Sequence, residues 1–498
     1  MKNTEFKKIL CLLLASLMVG SALVGCAENA SEAESENTAD PSAVESVAEE
    51  TEKPYLDNLP EKMDFGGTEI RFLSATETVS IELTEEDDTG DVVNDAYWKR
   101  NEALEGRTNV DIILANQVGY DAFNSTATQS ITAGSDDYDL FCGHTRFNMK
   151  LAASNYMINL NTNGFTDYID VSQPYWSDLY ISNVNYKDNL YWLAGDMTHS
   201  FIAFIYATFV NATVWNNHYS GENIYDIVLE GNWTLDTLNN YADGTYIDNN
   251  GDGAYDDGDS YGIIMQKGHV LNGMVCAADV RYTEIDADGN YKIALNSEHT
   301  VDAYTALHTL FYSTPYGRML ENSAFDGTCV PMFTEDRLLF CPNTFGFASN
   351  EKIREMESDF YIIPLPKFDA EQENYRVNQY DGVPIYGVPT TVNPDNIPML
   401  ASVLEAMCSM TSDIVIPAYY DVALKNKYSR DQTTAQMIDL IHDSITADFC
   451  FAWGDSCGGL MGFFYENIQN PEVASTLKRA EKSWNKLLEK LLTSLDGE

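Results

Sequence analysis

The chain has 498 residues, and its 29 Lys and Arg against 77 Asp and Glu give a formal net charge of −48 at pH 7. This charge excludes most nucleic-acid-binding proteins, because those proteins neutralise phosphates with clustered Lys and Arg. An apolar fraction of 44% excludes disorder of the whole chain, and the length suggests roughly two to three domains.

The N-terminus predicts export. Residues 1–25 have the pattern of a signal peptide, in which a lysine-rich start precedes the apolar segment Ile9–Ala22, which is too short to span a bilayer. The string Leu23-Val24-Gly25-Cys26 resembles a bacterial lipobox, and the resemblance implies lipidation of Cys26. We therefore expect the mature chain to be anchored by lipid at the extracellular face of the cell membrane.

Residues 26–60 predict a disordered acidic tether. Glu, Ser, Ala, Thr and Asn dominate this segment, so it cannot bury enough apolar surface to offset its ordering entropy. Seven cysteines follow Cys26, an odd number without a CxxC motif, and they predict mostly buried free thiols. Cys329 and Cys341 are the one pair that deserves a check for a disulfide.

The first part of the body alternates between strand and helix patterns. In chain order we predict a strand at 69–73, a helix at 92–107, a strand at 109–114, a helix at 127–133 and a strand at 138–142. This alternation is typical of a parallel sheet with crossover helices. Ligands of such sheets bind beyond the carboxyl ends of the strands, where the loop 143–147 is placed.

Several motifs in order resemble those of the extracellular solute-binding proteins of ABC importers, the group that includes maltodextrin-binding protein. The matching segments are Tyr138–Phe147 with Met157–Leu160, Phe209–Asn211, Gly231–Leu238, Phe325–Gly327, Ile363–Lys367 and the helix Leu400–Met410. Each motif is short, and it is their order from about residue 64 onward that carries the resemblance.

The resemblance implies an α/β, two-lobed periplasmic-binding-protein-like fold of type II, with a hinge of crossing strands and a ligand cleft between the lobes. Lobe 1 would comprise 61–205 plus 370–412, and lobe 2 would comprise 206–369 plus 413–498. The run Phe201–Val210 would be the first crossing strand. The implied partners are a small-molecule solute, namely a sugar, and an ABC permease, and the protein would be a monomer without enzymatic activity.

The candidate ligand-binding residues combine polar groups for sugar hydroxyls with aromatic faces for the sugar ring. They are His144, Thr145 and Arg146 after the third predicted strand, Phe345 after the strand 338–340, Tyr380 and Asp381 before a crossing-like strand, and Trp453 among glycines. For each aromatic residue the alternative is core packing. Maltodextrin-binding protein has an acidic residue where Thr145 stands, so its substrate is not transferred to this chain.

A separate motif predicts a calcium site. Residues 248–259 place oxygen ligands at the loop positions of an EF-hand, namely Asp248, Asn250, Asp252, the Ala254 carbonyl, Asp256 and Asp259, with Gly253 at position 6. Position 12 is Asp where an EF-hand has Glu. The alternative to a calcium site is an acidic turn without a bound metal. The flanks predict a helix and a strand instead of two helices, which favours structural Ca²⁺ over a calcium sensor.

Two alternatives to sugar capture remain open. One is a binding protein for peptides or another small solute, and the other is a secreted glycan-active hydrolase or a surface adhesin. The sequence has no HExxH, GxSxG, GxxxxGK or GxGxxG motif. A glycosidase needs only two suitably spaced carboxylates, and with 77 acidic residues such a pair remains open.

Overall fold

Two larger sheets and one small hairpin contain the strands. The computed structural model describes residues 55–75, 90–420 and 432–497. Within them the strands are β1 (Thr68–Ala75), β2 (Val110–Val118), β3 (Leu140–His144), β4 (Tyr206–Asn211), β5 (Tyr261–Lys267), β6 (Thr283–Ile285), β7 (Tyr291–Ile293), β8 (Gly317–Glu321), β9 (Leu338–Thr344), β10 (Phe360–Ile363) and β11 (Pro384–Gly387). The predicted signal peptide and Cys26 lie outside the described residues.

Helices surround both sheets. They are α1 (Val92–Thr108), α2 (Tyr120–Ala133), α3 (Thr145–Asn148), α4 (Lys150–Ala153), α5 (Asp178–Val184), α6 (Ser200–Ala203), α7 (Ala212–His218), α8 (Ile224–Leu229), α9 (Leu235–Asp243), α10 (His269–Ala277), α11 (Glu298–Tyr312), α12 (Asn322–Thr334), α13 (Glu351–Glu355), α14 (Ile397–Tyr419), α15 (Gln432–Asp443), α16 (Phe449–Ala452), α17 (Phe463–Asn467) and α18 (Val473–Leu495). Short 3-10 turns occur at Phe165–Asp167, Phe345–Ser349, Pro394–Asn396 and Leu460–Gly462.

The first sheet has the strand order β11-β3-β1-β2. Strand β1 pairs in parallel with β2 and β3, which confirms the predicted parallel sheet with crossover helices, while β11 runs antiparallel to β3. Helix α1 begins after Asp91, whose carboxylate accepts hydrogen bonds from two first-turn amides, and ends at Asn109 in the left-handed region with a φ of 52°. Helix α2 begins at Tyr120, seven residues before the predicted start.

The second sheet has the order β10-β4-β9-β5-β8, and all its strands come from residues 206–363. Strand β5 pairs in parallel with β8 and β9, whereas β4 is antiparallel to β9 and β10. The amino end of β4 therefore lies at the same edge of the sheet as the carboxyl ends of β5 and β9. This edge is where a ligand of a parallel sheet is bound.

Three chain segments lie side by side between the sheets. Ile205 and Gln379 form an antiparallel bridge, and the Tyr380 N–H donates to the Phe204 carbonyl at 2.8 Å. Val377 forms a parallel bridge with Ile445. We call 204–205, 377–380 and 444–446 the crossing strip. The predicted crossing strand 201–210 is wrong at its start, because residues 200–203 form helix α6 and the strand begins at Tyr206.

The segment 55–60 contacts the body, so the predicted disordered tether 26–60 is too long at its carboxyl end. The carboxylate of Asp57 pairs with the Arg107 guanidinium at 2.7 Å, and both side chains are fully buried. Arg107 also lies over the Tyr55 ring, 3.8 Å from its centroid. A buried guanidinium requires a paired acceptor, and this segment provides it.

Helix α14 is the most apolar long helix of the described chain. The span Pro394–Tyr419 has the length and composition to cross a membrane, but 83% of its most apolar window is buried inside the protein, as in a core helix. Within it, Glu405 accepts hydrogen bonds from the Tyr175 hydroxyl at 2.6 Å and the Trp176 indole at 2.7 Å. The helix thereby holds the 170–176 segment onto the core.

The seven cysteines of the described chain are free thiols, and six of them are buried, which confirms the prediction from their number and spacing. Cys329 and Cys341 are neighbours, with their sulfur atoms 3.0 Å apart, but they do not form a disulfide.

Candidate ligand-binding cleft

A small cavity of about 30 Å³ lies on the crossing strip, between groups that follow the two sheets. Its wall includes Thr145 and Tyr180 on the side of the first sheet and Tyr282 on the side of the second. This volume holds about one or two water molecules. At this point the groups that follow the two sheets therefore lie close together.

The small cavity adjoins a wide cleft of about 700 Å³. Arg376, Thr446, Ala447 and Asp448 line both spaces. The wide cleft is within the range of roughly 300–1,000 Å³ that is typical of ligand pockets. Together the two spaces form one candidate site, in which the small cavity is the inner end.

Three buried polar side chains of the small cavity have atoms without a hydrogen-bond partner. These atoms are Asn378 Oδ1, Gln379 Oε1 and the Tyr282 hydroxyl. The three residues are only 2–6% exposed. Buried polar groups in proteins are nearly always paired, so a cluster of unpaired ones at a cavity indicates a place for a polar ligand. The amide oxygens of Asn378 and Gln379 can accept hydrogen bonds from hydroxyl groups of a ligand, and the Tyr282 hydroxyl can donate or accept one.

The predicted loop after β3 does reach the site, through Thr145. The Thr145 hydroxyl lies 2.9 Å from the Tyr180 hydroxyl and 2.8 Å from the Val383 carbonyl, and the residue lines the small cavity. His144 is buried just behind it, and its ring packs against Tyr380 with 6.0 Å between centroids. Burial lowers the pKa of His144 to about 3, so its imidazole is neutral near pH 7.

Arg146 is occupied by protein partners. Its guanidinium lies 3.3 Å from the Asp381 carboxylate and 3.6 Å from that of Asp455, and it donates to the Tyr465 hydroxyl at 3.1 Å. Burial alone would lower the pKa of Arg146, but these partners outweigh it and raise the pKa. Arg146 therefore connects the end of β3 to the C-terminal segment, while its buried Nε atom has no hydrogen-bond partner.

Tyr380 and Asp381 both line the small cavity, as the sequence suggested. Burial raises the pKa of Asp381 to about 6, although the neighbouring Arg146 lowers it in part. The Tyr380 ring lies 4.4 Å from the His269 ring between centroids. Burial lowers the pKa of His269 to about 4, so its imidazole is neutral near pH 7.

Two predicted ligand residues are core residues instead. Phe345 is fully buried, and its backbone N–H donates to the Ile205 carbonyl. Trp453 is 1% exposed, and its indole N–H donates to the Val184 carbonyl at 2.8 Å. A Trp among glycines can face a cleft, but this one has its polar atom satisfied inside the protein. Neither Phe345 nor Trp453 lines the small cavity or the wide cleft in this structure.

The sequence reasoning missed most of the cavity wall. Tyr180, Tyr282, Asn378 and Gln379 were not among the candidates. Asn378 and Gln379 directly precede the predicted site residues Tyr380 and Asp381. Their polar side chains next to predicted site residues are a sequence signal that could have identified them. Tyr282 is positioned by its backbone N–H, which donates to the Asp448 carboxylate at 3.0 Å. That contact spans more than 160 residues of sequence and left no local signal.

The predicted calcium ligands lie in one loop. Ile247 and Ser260 pair through two backbone hydrogen bonds of 2.9 and 3.1 Å, which close the loop at its base. Helix α9 and strand β5 flank it, as predicted. The side chains of Asp248, Asn250, Asp252 and Asp256 accept hydrogen bonds from loop amides. Within the described residues, no three His, Cys, Asp or Glu side chains converge into a preformed metal site.

No protein-family model matches this chain, and no curated protein sequence matches it significantly. Several solved structures, however, are similar to this chain in fold. An ABC substrate-binding protein from Listeria monocytogenes in complex with cycloalternan is 12% identical, with a TM-score of 0.55 over 85% of this chain and 99% of that one. The chain has the solute-binding-protein fold.

Two further structures with this fold illustrate its range. The maltodextrin-binding domain from Bdellovibrio bacteriovorus bound to maltotriose is 12% identical, with a TM-score of 0.51 over 86% of this chain and 99% of that one. UgpB from Mycobacterium tuberculosis in complex with glycerophosphocholine is 13% identical, with a TM-score of 0.54 over 87% and 99%. The predicted two-lobed α/β solute-binding-protein fold is confirmed.

Proposed function

We propose that the protein captures a carbohydrate, namely an oligosaccharide, outside the cell for an ABC importer. The observation that carries the proposal is the set of unpaired buried polar atoms of Tyr282, Asn378 and Gln379, which line the small cavity on the crossing strip. A sugar presents hydroxyl groups in several directions, and these can pair with acceptors and donors on different segments. The fold and the sugar ligands of two similar structures support this choice.

Capture proceeds by hinge closure. The small cavity has room only for water in the closed structure, so the ligand enters an open form and is then enclosed. A ligand shifts an open–closed equilibrium only through its differential affinity for the closed form. Contacts with Thr145 and Tyr180 on one side and Tyr282 on the other, which exist together only when the cleft is closed, supply this difference. No chemical turnover is part of the proposal.

A ligand screen tests the proposal. The purified mature chain is examined by thermal shift and then by calorimetry with oligosaccharides, glycerophosphodiesters and peptides. We expect oligosaccharides to raise the melting temperature and to bind with micromolar affinity, which corresponds to about −8 kcal/mol. Binding of peptides or a glycerophosphodiester without any sugar would assign the cleft to another solute. Release of free sugar from an oligosaccharide would contradict a pure binding function.

We further propose that a lipid on Cys26 holds the protein at the extracellular face of the cell membrane. The lipobox-like string before Cys26 and the acidic segment after it support this location. The test is detergent partitioning of cells that express the full chain or Cys26→Ala. We expect the full chain in the detergent phase and the variant in the aqueous phase. Equal partitioning of both would contradict the anchor.

A further inference from the structure

The loop 248–259 contains a buried carboxylate that the protein leaves half unpaired. Asp259 is fully buried, and its Oδ1 atom has no hydrogen-bond partner. Its Oδ2 atom accepts weak contacts from the Tyr246 hydroxyl at 3.2 Å and from the Asp256 N–H at 3.4 Å. The Asp256 amide belongs to the loop, so the Asp259 carboxylate faces into the loop from its base. A buried anion without full pairing costs free energy unless a cation compensates it.

We propose that this loop binds Ca²⁺, with the unpaired Asp259 oxygen as the ligand at its base. This site is independent of the proposed sugar cleft, because it lies between α9 and β5 and shares no residue with the cavity wall. Calcium prefers six to eight oxygen ligands at a flexible geometry. Asp259 contributes one or two of these.

The remaining ligands come from the loop side chains and one carbonyl. Asp248, Asn250, Asp252 and Asp256 stand at positions 1, 3, 5 and 9, and the Ala254 carbonyl stands at position 7. The four side chains already fold inward onto loop amides, such as those of Gly251 and Gly253, and carboxylate and amide oxygens keep lone pairs beyond a single hydrogen bond. Metal binding therefore requires rotation of these side chains without refolding of the loop.

The base of the loop is rigid enough to fix the position of Asp259. The Arg337 guanidinium donates to the Asp257 carbonyl at 2.8 Å and to the Asp259 carbonyl at 3.1 Å. The Asp257 carboxylate is 67% exposed and pairs with Arg318 at 2.6 Å, a surface ion pair that contributes little to the position of Asp259. Both arginines thus contact backbone or the Asp257 side chain and leave the Asp259 carboxylate for the metal. Asp257 stands at position 10, which is not a ligand position.

Calcium and terbium binding to the full chain test the site. Thermal shift is measured with CaCl2, with MgCl2 at the same ionic strength and with a chelator. The Tyr246 hydroxyl lies 3.2 Å from the Asp259 carboxylate, and its ring lies 5.7 Å from that of Tyr255 between centroids. Terbium bound in the loop is therefore close enough to be sensitised by tyrosine excitation, and added CaCl2 should displace it and quench the emission.

The variants are Asp248→Asn and Asp252→Asn, with Asp257→Asn as the matched control that removes the same charge from the same loop. We expect CaCl2 at about 10 mM to raise the melting temperature of the wild type and of Asp257→Asn by a few degrees, with a dissociation constant of roughly 10⁻⁴–10⁻³ M. Asp248→Asn and Asp252→Asn should lose at least about tenfold in affinity. Asp252 and Asp257 are exposed and Asp248 is half-buried, and each change to Asn keeps the size of the side chain, so these variants should still fold.

The outcomes distinguish a specific calcium site from nonspecific screening of the acidic protein by cations. Equal responses to CaCl2 and MgCl2, or equal loss in Asp257→Asn and Asp252→Asn, would overturn the proposal, as would wild-type protein without any response to calcium. Tyrosine-sensitised terbium emission that is lost in Asp252→Asn and retained in Asp257→Asn would support it. Sugar binding by the Asp252→Asn variant should be unchanged, which keeps this test distinct from that of the cleft.

Discussion

Arg146 and Asp381 contact each other twice, once through the backbone and once through their side chains. The Arg146 N–H donates to the Asp381 carbonyl at 3.0 Å, and its guanidinium lies 3.3 Å from the Asp381 carboxylate. Asp381 also lines the small cavity, whereas Arg146 lies behind it. Arg146 therefore fixes the orientation of the Asp381 carboxylate and favours its ionised form. This carboxylate can accept a hydrogen bond from a ligand hydroxyl.

Replacement of Asp381 by Asn should weaken sugar binding about ten- to hundredfold at pH 7.5, because a hydrogen bond to a charged acceptor contributes roughly 1.5–3 kcal/mol. The raised pKa of Asp381, about 6, adds a pH dependence. The carboxylate is ionised above this pH and neutral below it, so wild-type affinity should fall as the pH drops from 7.5 to 5. Calorimetry at both pH values measures this. A D381N variant with the same pH dependence as the wild type would contradict the role of Asp381.

Removal of the Tyr282 hydroxyl should affect binding but not folding. This hydroxyl has no protein partner, so Tyr282→Phe should leave the free energy of unfolding of the ligand-free protein unchanged or slightly higher. Sugar affinity should fall by about fivefold or more, since a neutral hydrogen bond contributes roughly 1 kcal/mol. Urea unfolding and calorimetry measure the two quantities.

The matched control is Tyr304→Phe. The Tyr304 hydroxyl donates to the carbonyls of Asn467 and Asn470 and lies away from the cleft. We expect this variant to lose about 1 kcal/mol of stability and to keep its sugar affinity. If both tyrosine variants lose only stability, the Tyr282 hydroxyl does not contact the ligand.

Glu405 should make stability depend on pH. Burial raises its pKa from 4.5 to about 7, although the hydrogen bonds from Tyr175 and Trp176 lower it in part. The native state therefore holds a proton on Glu405 between pH 4.5 and 7 that the unfolded state has released. The bound proton therefore adds on the order of 3 kcal/mol to the free energy of unfolding. This stabilisation is complete below pH 4.5 and is lost as the pH rises to 7.

The Glu405→Gln variant isolates this contribution. Its unfolding free energy, minus that of the wild type, should be larger at pH 8 than at pH 5, because only the wild type must bury a charge at pH 8. Thermal and urea unfolding at the two pH values give the difference. A constant difference across this range would show that Glu405 is ionised throughout.

The Asp57–Arg107 ion pair should contribute strongly to folding. Asp57→Ala leaves the fully buried Arg107 without its carboxylate, and such a loss costs roughly 3–5 kcal/mol. The control is Lys292→Ala, which removes an ion pair whose lysine is 55% exposed and should leave unfolding unchanged. Equal effects of the two variants in urea unfolding would show that the 55–60 segment does not stabilise the body.

The sequence predicted the start of the first sheet well because β1, α1 and β2 each have a local pattern. Strand β1, helix α1 and strand β2 were placed within a few residues, since their apolar periodicity and their turn residues lie inside each element. The start of β4 was placed too early, at 201. The run 201–210 is apolar except for Thr208, and such a run cannot distinguish a buried helical turn from a buried strand.

The candidate site was predicted only in part. Thr145, Tyr380 and Asp381 line the small cavity, since their place after or before a strand in the fold is enough to locate them. Phe345 and Trp453 lie in the core instead, and local sequence does not indicate whether an aromatic ring faces a cleft or the core. Tyr282 was missed because a carboxylate far along the chain, that of Asp448, determines its position.

The crossing strip has a mechanical consequence. Its segments are joined by main-chain hydrogen bonds, such as Val377 N–H to the Ser444 carbonyl at 2.8 Å and Thr446 N–H to the Val377 carbonyl at 2.7 Å. In the proposed hinge closure, atoms on this strip move least and atoms at the rim of the cleft move furthest. Asn378 and Gln379 would therefore keep nearly the same positions in both forms, so that a ligand bound to them is in place before the outer walls of the cleft reach it.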